Sequence, residues 1–217
     1  MTTNRSAALA LTAGSLAGLV VMSFHPTGNE AARDPTGRTL TVIAAVHWMA
    51  IIAQPVLLAG AAGLTAWLRA RRDTAVAALV FFAVASMAVL IAGAASGLVS
   101  PGVLRGLHDA DAGATMSMQN ALHYTWLLNQ AFARIYVVLG AIGIALWSWA
   151  VLGGRELPHA LGFYGLALGA ALVLGLASGH LNLGVHGFGL VILGQSVWMI
   201  WAAAALWRGG GSADGVA

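Results

Sequence analysis

Six long apolar runs, separated by short polar breaks, occupy almost the whole chain. A helix needs about 20 mostly apolar residues to cross a hydrocarbon layer roughly 30 Å thick, and every run is about that long or longer. The breaks contain proline, glycine or arginine, which are typical of turns and helix ends. The pattern predicts an all-α membrane protein, a bundle of six transmembrane helices. The predicted spans are 6–24, 39–68, 75–99, 120–152, 158–180 and 185–207.

The same pattern leaves no room for a separate soluble domain in 217 residues. We expect residues 1–208 to form a single transmembrane domain. Residues 209–217 are small and polar, and we expect them to form a disordered tail. The stretch from Ala7 to Phe24 is longer than the core of a signal peptide and is followed by no convincing small-x-small cleavage site. We therefore expect the first run to be a retained span.

The odd and even spans differ in composition, which suggests three repeated helical hairpins. All eight tryptophans lie in the even spans. The odd spans instead carry glycine pairs at four-residue spacing, namely Gly14 with Gly18, Gly93 with Gly97, and Gly165 with Gly169. Because such small residues allow helices to approach closely, we expect the odd helices to lie at the centre of the bundle.

Arginine carries all the positive side-chain charge, since the chain has no lysine. If the N-terminus is inside, the inner ends hold Arg5, Arg69, Arg71, Arg72, Arg155 and Arg208, and the outer loops hold Arg33, Arg38 and Arg105. The positive-inside rule favours this orientation. It predicts an integral protein of the bacterial inner membrane with both termini in the cytoplasm.

Composition excludes several classes of protein. With 59% hydrophobic and 8% charged residues, the chain has too little polar surface for a soluble domain. Its arginines are scattered at helix ends, which does not support nucleic-acid binding. The absence of cysteine excludes disulfides and thiolate metal sites, and the absence of lysine excludes a retinal Schiff base. The expected partners are the lipid bilayer and either other subunits of a membrane complex or further copies of the chain.

Histidines are concentrated at one predicted membrane face. Six of the seven lie at or beyond the outer interface: His25, His47, His108, His123, His180 and His186. Each even span opens with an apolar residue followed by histidine, at His47, His123 and His186. Imidazole is a common ligand of zinc, copper and haem iron. We therefore predict an outer-face metal site built from these three, with His25 or His180 nearby.

Polar residues below these histidines follow the helical repeat. Gln54 lies seven residues after His47, Gln130 lies seven after His123, and Arg134 follows four residues later. Arg134 is the only charge expected within the helical region, so it needs a carbonyl, water, an anion or a cofactor carboxylate as partner. We predict that Arg134, Gln54 and Gln130 contact a cofactor. Gln195 breaks the symmetry, because it lies nine residues after His186 and nearly opposite it.

Several functions are compatible with this pattern. The predicted cofactor is a Cu or Zn ion, or alternatively haem b, with two histidines on the iron and Arg38 or Arg105 on the propionates. Ligands at a single depth argue against electron transfer across the bilayer. The alternatives are an accessory subunit of a membrane complex, a small-solute carrier, and a serine hydrolase using Ser96 or Ser178. The sequence does not decide whether the protein is an enzyme.

Overall fold

The computed structural model describes residues 3–26, 37–68, 72–107, 111–155 and 157–209. Within those ranges the chain forms helices and no strand. The elements are α1 (Thr3–Phe24), α2 (Arg38–Trp67), α3 (Arg72–Ala94), a π-helical segment (Ala95–Val99), α4 (Ser100–Gly106), α5 (Ala112–Leu152), α6 (His159–Ala177) and α7 (Val185–Gly209). α3, the π-helical segment and α4 run on as one span, so six spans are long and apolar enough to cross a membrane. The predicted all-α bundle of six helices is confirmed.

The third span continues past Pro101, where the sequence predicts a break. Pro101 lies at the start of α4 within this continuous span, where its missing N–H leaves one carbonyl of the preceding turn without a helical hydrogen bond. The π-helical segment just before Pro101 has a wider hydrogen-bonding pattern, in which the Ser100 N–H donates to the carbonyl of Ala95, five residues earlier. Isolated π-helical turns are frequent at functional sites. This one carries Ser96 and Gly97 into the interior of the bundle.

The fourth span, α5, is much longer than a membrane is thick. It begins at Ala112 because the carboxylate of Asp111 caps it, accepting a hydrogen bond from the Ala114 N–H at 2.8 Å. Its 41 residues extend roughly 60 Å, about twice the hydrocarbon thickness. A straight crossing measured from Leu152 would end near Ala133, so α5 has about 20 residues more than such a crossing requires.

Helix packing agrees with the predicted hairpins for the first two pairs of spans and departs from the prediction for the third pair. α1 packs against α2 and α7, while α3 packs against α2 and α5, and α5 also packs against α6. α6 and α7, which a hairpin repeat would pair, share only a small contact. The fourth span is the most deeply buried of the six. The expectation that the odd helices form the centre is therefore wrong. α5 achieves its close packing with its own small residues, such as Gly143 against the backbone of α3.

Four of the six paired glycines of the odd spans nevertheless lie at close helix contacts, as their spacing predicts, whereas Gly18 and Gly93 have ordinary contact distances. A Cβ at Gly14 would meet the Leu57 Cβ at 2.7 Å, and one at Gly165 would overlap Ser148 and Trp198. Trp198 uses this space to stack on Trp147, with ring centroids 5.9 Å apart. Both tryptophans are fully buried in the half of the bundle that contains Leu152 and His159.

The outside of the bundle is apolar, as lipid contact requires. Residues such as Leu16, Val80, Leu174 and Leu190 are exposed on four different helices. Several sequence predictions fall outside the described residues. These are the positions of Arg33, Arg69, Arg71 and His108, and the tail from residue 210 onward, since Gly209 still belongs to α7.

Candidate functional site

One end of the bundle contains a large cavity between the helices. The end of α1, the starts of α2 and α7, and the end of the third span meet there, and the cavity between them has a volume of about 560 Å³. Three histidines line it, His25, His47 and His186, and we call this the histidine end. The other hydrogen-bonding side chains in the wall are Ser96, Ser100, Trp126, Asn129 and Gln130. The site thus combines a mostly apolar wall with a few convergent polar groups, as ligand pockets usually do.

His47 is the most buried of these histidines, with 6% of its surface exposed. It lies in the third turn of α2, and its Nδ1 is 2.7 Å from the carbonyl oxygen of Ile43. A carbonyl can only accept, so the Nδ1 of His47 must carry the proton in this contact. In the neutral ring, Nε2 is then an unprotonated acceptor that faces the cavity.

His25 follows the end of α1 and repeats this arrangement. Its Nδ1 is 2.9 Å from the carbonyl oxygen of Pro26, which again assigns the proton to Nδ1. Its Nε2 lies 3.3 Å from the Nε2 of His47, and the two rings meet edge to face at 67°. Two neutral imidazoles would therefore direct two lone pairs at each other. This contact is favourable only when a proton or a cation lies between the nitrogens.

Ser96 and Asn129 complete the cluster from the opposite side. The Oγ of Ser96 is 2.9 Å from the Nε2 of His47 and 3.0 Å from the carbonyl of Ala92. Asn129 donates from Nδ2 to that same carbonyl at 3.0 Å and to the Oγ of Ser96 at 3.2 Å. Asn129 therefore connects α5 to the third span and fixes the position of the Ser96 hydroxyl.

Gly97 provides the space that the His47 ring occupies. A Cβ at this position would overlap Cβ, Cγ and Cδ2 of His47. The π-helical segment thus presents a hydroxyl and an open backbone surface to the same imidazole. Because both neighbours contact one ring, the Ser96-Gly97 pair fixes where Nε2 points.

The three predicted cofactor residues lie in different places. Gln130 lines the cavity and donates from Nε2 to the Asn129 side-chain oxygen at 3.3 Å and to the carbonyl of Leu183 at 3.4 Å. Gln54 lies deeper and donates to the Ser86 Oγ at 2.9 Å. Arg134 is exposed on α5 and is not part of the cavity wall. The structure therefore places Gln130 in the wall of the histidine-end cavity, and it places Gln54 and Arg134 outside that wall.

The remaining predicted ligands do not converge with His47 as a group. His123 is exposed and stacks on Trp126 at 6.0 Å, and it lies six residues, roughly 9 Å of helix, beyond Asn129. His180 is exposed, with its Nδ1 3.0 Å from the Oγ of Ser178. Among the described residues, no three His, Asp or Glu side chains are close enough together to hold a metal ion. The structure brings His25 to His47, and lets His186 share their cavity.

Asn129 is a site residue that the spacing patterns do not predict. They predict only its neighbour Gln130, which lies seven residues after His123. The sequence feature that points to Asn129 is its position next to Gln130, since two adjacent amide side chains within an apolar span need hydrogen-bond partners inside the protein.

Comparisons with protein-family models, with curated proteins and with solved structures find no match for this chain. A helical bundle by itself is compatible with many unrelated activities. Its function must therefore be inferred from the chemistry of the histidine end.

Proposed function

We propose that this chain is an integral membrane protein that binds a transition-metal ion, zinc or copper, between Nε2 of His25 and Nε2 of His47. One observation carries the proposal. Both Nδ1 atoms are engaged by backbone carbonyls, and the two remaining nitrogens approach to 3.3 Å. A cation between them converts a repulsive contact into two coordinate bonds.

The separation of the two nitrogens suits a tetrahedral ion. Two bonds of about 2.0–2.1 Å at the tetrahedral angle place their nitrogens about 3.3–3.4 Å apart. Axial ligands on opposite sides of a haem iron would be about 4 Å apart, twice such a bond length. The observed 3.3 Å therefore supports a tetrahedral zinc or copper ion over a haem held by this pair.

The surroundings of the two rings also resemble those of metal-bound histidines. Such histidines usually donate their second ring N–H to a carbonyl or carboxylate, which fixes the tautomer and the ring orientation. His25 has Pro26 in this role and His47 has Ile43. The rings are therefore oriented for binding before any ion arrives.

Two protein nitrogens leave two coordination positions open. The Ser96 Oγ, 2.9 Å from the His47 Nε2, is one neighbouring oxygen, and His186 lies in the wall of the same cavity. An ion with open positions that face a cavity of about 560 Å³ can exchange water for another ligand. Together with the positive-inside arrangement of arginines, the proposal puts this site at the periplasmic face.

The test is metal analysis of the protein purified from native membranes, followed by equilibrium dialysis against Zn(II) and against Cu(I). We expect one ion per chain, and loss of that ion in both His25→Ala and His47→Ala. His180→Ala is the matched control, because His180 is exposed at the same end but lies outside the cluster. Absence of stoichiometric metal, or equal occupancy in all three variants, would overturn the proposal.

A second candidate function rests on the contact between Ser96 and His47. A serine hydroxyl 2.9 Å from a histidine Nε2, with Nδ1 held by an acceptor, is the arrangement of a nucleophile and its general base. The Ser96 hydroxyl also has the Ala92 carbonyl as an alternative acceptor, which weakens this candidate. A fluorophosphonate probe distinguishes the two. Hydrolase activity requires labelling that Ser96→Ala abolishes and His25→Ala preserves, whereas metal binding requires His25.

A further inference from the structure

A second cavity lies deeper in the bundle, next to the one at the histidine end. Its volume is about 90 Å³, and its wall comes from α1, α2, α3, α5 and α7. The two cavities share six wall residues, namely Val21, Met22, Ala50, Val89, Gly93 and Phe188. The deep cavity is therefore a direct neighbour of the histidine-end cavity, and these shared residues lie between the two.

Two polar side chains in the deep wall have unused hydrogen-bonding capacity. The Nε2 of Gln195 and the Oγ of Ser15 find no partner among the described residues. Both side chains are almost fully buried, with 4% and 2% of their surfaces exposed. Gln195 does use its other amide atom, since its Oε1 accepts a hydrogen bond from the Tyr136 hydroxyl. Burying a polar group without a hydrogen-bond partner is unfavourable, so a partner inside the cavity would be strongly favoured.

We propose that the deep cavity binds water molecules that pair with Gln195 and Ser15. Empty protein cavities are typically apolar, whereas polar ones hold water when each molecule has about 10–15 Å³ and two or more polar partners. A cavity of about 90 Å³ meets the space requirement. Water also fits either orientation of the Gln195 amide, because it can donate and accept. A lipid chain could satisfy neither group.

The packing around Gln195 leaves room for its side-chain amide. A Cβ at Gly140 would come within 3.0 Å of the Gln195 Nε2, so the absence of a side chain there gives the amide its position. On the side away from the histidine end, the fully buried Trp147 and Trp198 fill the interior. Among the described residues, the deep cavity therefore lies between the histidine-end cavity and the two tryptophans, and we expect its water to exchange on the histidine side.

Radiolytic hydroxyl-radical footprinting of the protein in lipid nanodiscs tests this inference. Radicals form from water, so they oxidise only side chains that have water next to them. Met199 is 1% exposed and lines the deep cavity. Met116 is exposed near the Asp111-capped start of α5, where we expect water, and Met87 is exposed midway along α3, where we expect lipid. We expect oxidation of Met199 and Met116 and protection of Met87.

Two variants link the water to the proposed side chains. Gln195→Leu should reduce Met199 oxidation several-fold, with no change at Met116. Ser15→Ala leaves the hydrogen bond between Tyr136 and Gln195 in place and should reduce Met199 oxidation by a smaller factor. If Gln195→Leu fails to fold, Ser15→Ala tests the proposal on its own. Protection of Met199 in the wild-type protein, oxidation of Met87 equal to that of Met199, or unchanged Met199 oxidation in the folded variants would overturn the proposal.

Discussion

Gly97 lies directly against the imidazole of His47, with no space between them for a side chain. One turn earlier in the same span, Gly93 faces the same ring at a comfortable distance. A Cβ there would be 3.8 Å from the Cδ2 of His47, an ordinary van der Waals contact. A methyl group added at Gly97 would therefore displace the His47 ring, whereas one added at Gly93 would not.

Gly97→Ala should displace the His47 ring and separate its Nε2 from Ser96 and His25. We expect loss of the bound metal, because a shift of even a few tenths of an ångström is significant against bonds of about 2.0–2.1 Å. Gly93→Ala is the matched control and should retain the metal. Metal content and thermal stability of both purified variants provide the measurement. Equal metal content in the two would show that the Gly97 contact does not position His47.

Hydropathy was sufficient to predict the six spans, because the bilayer requires long apolar helices whatever their tertiary packing. The predicted helix ends are less accurate where a helix cap or a π-helical turn sets the end of a span. The third span runs through Pro101 because a π-helical turn absorbs it, and the fourth starts early because Asp111 caps it. Neither feature has a hydropathy signal.

The geometry of the candidate site follows only in part from the sequence. The one-sided histidines indicate the end of the bundle where the large cavity lies, but the spacing of His47, His123 and His186 does not reveal that His123 is exposed on the long helix α5, away from the cavity. The pairing of His25 with His47 depends on how α1 packs against α2. That packing is set by contacts such as Gly14 against Leu57, which lie far from either histidine along the chain.

Asn129→Leu should weaken the attachment of α5 to the third span. The change removes the two hydrogen bonds that Asn129 donates, to the Ala92 carbonyl and to the Ser96 Oγ, and the one that its side-chain oxygen accepts from Gln130. We expect the free energy of unfolding in detergent to fall by about 1–3 kcal/mol. Asn120→Leu, an exposed asparagine on the same helix, should have little effect and serves as the control. Similar losses in both variants would rule out a specific role for the Asn129 bonds.

Acidification should release the proposed metal ion. Each Nε2 must be unprotonated to act as a ligand, so protons compete with the ion for both His25 and His47. Metal occupancy is therefore expected to be full at neutral to mildly alkaline pH and to fall as the pH is lowered. Equilibrium dialysis over a pH series, with His180→Ala as a variant that should follow the wild-type curve, measures this. An occupancy that stays constant down to acid unfolding would contradict ligation by imidazole.

The opposite half of the bundle offers a stability test that is independent of the metal. The Thr65 Oγ1 accepts a hydrogen bond from the Trp147 Nε1 at 3.0 Å and donates to the Ala61 carbonyl at 2.9 Å. Trp147 is fully buried, so removing the hydroxyl leaves its N–H unpaired. Thr65→Val should therefore lower the free energy of unfolding by about 1–3 kcal/mol, whereas Thr65→Ser keeps the hydroxyl and should lose less.

Thr65 and His47 lie 18 residues apart on α2, roughly 27 Å along the helix. Below its unfolding temperature, Thr65→Val should consequently bind as much metal as the wild-type protein. Reversible unfolding in mixed micelles and metal analysis of the same preparations measure the two quantities separately. If Thr65→Val is as stable as Thr65→Ser, the buried hydrogen bond is not what holds Trp147. If it loses metal while still folded, the two halves of the bundle are coupled, because no direct contact joins a side chain at position 65 to the histidine end.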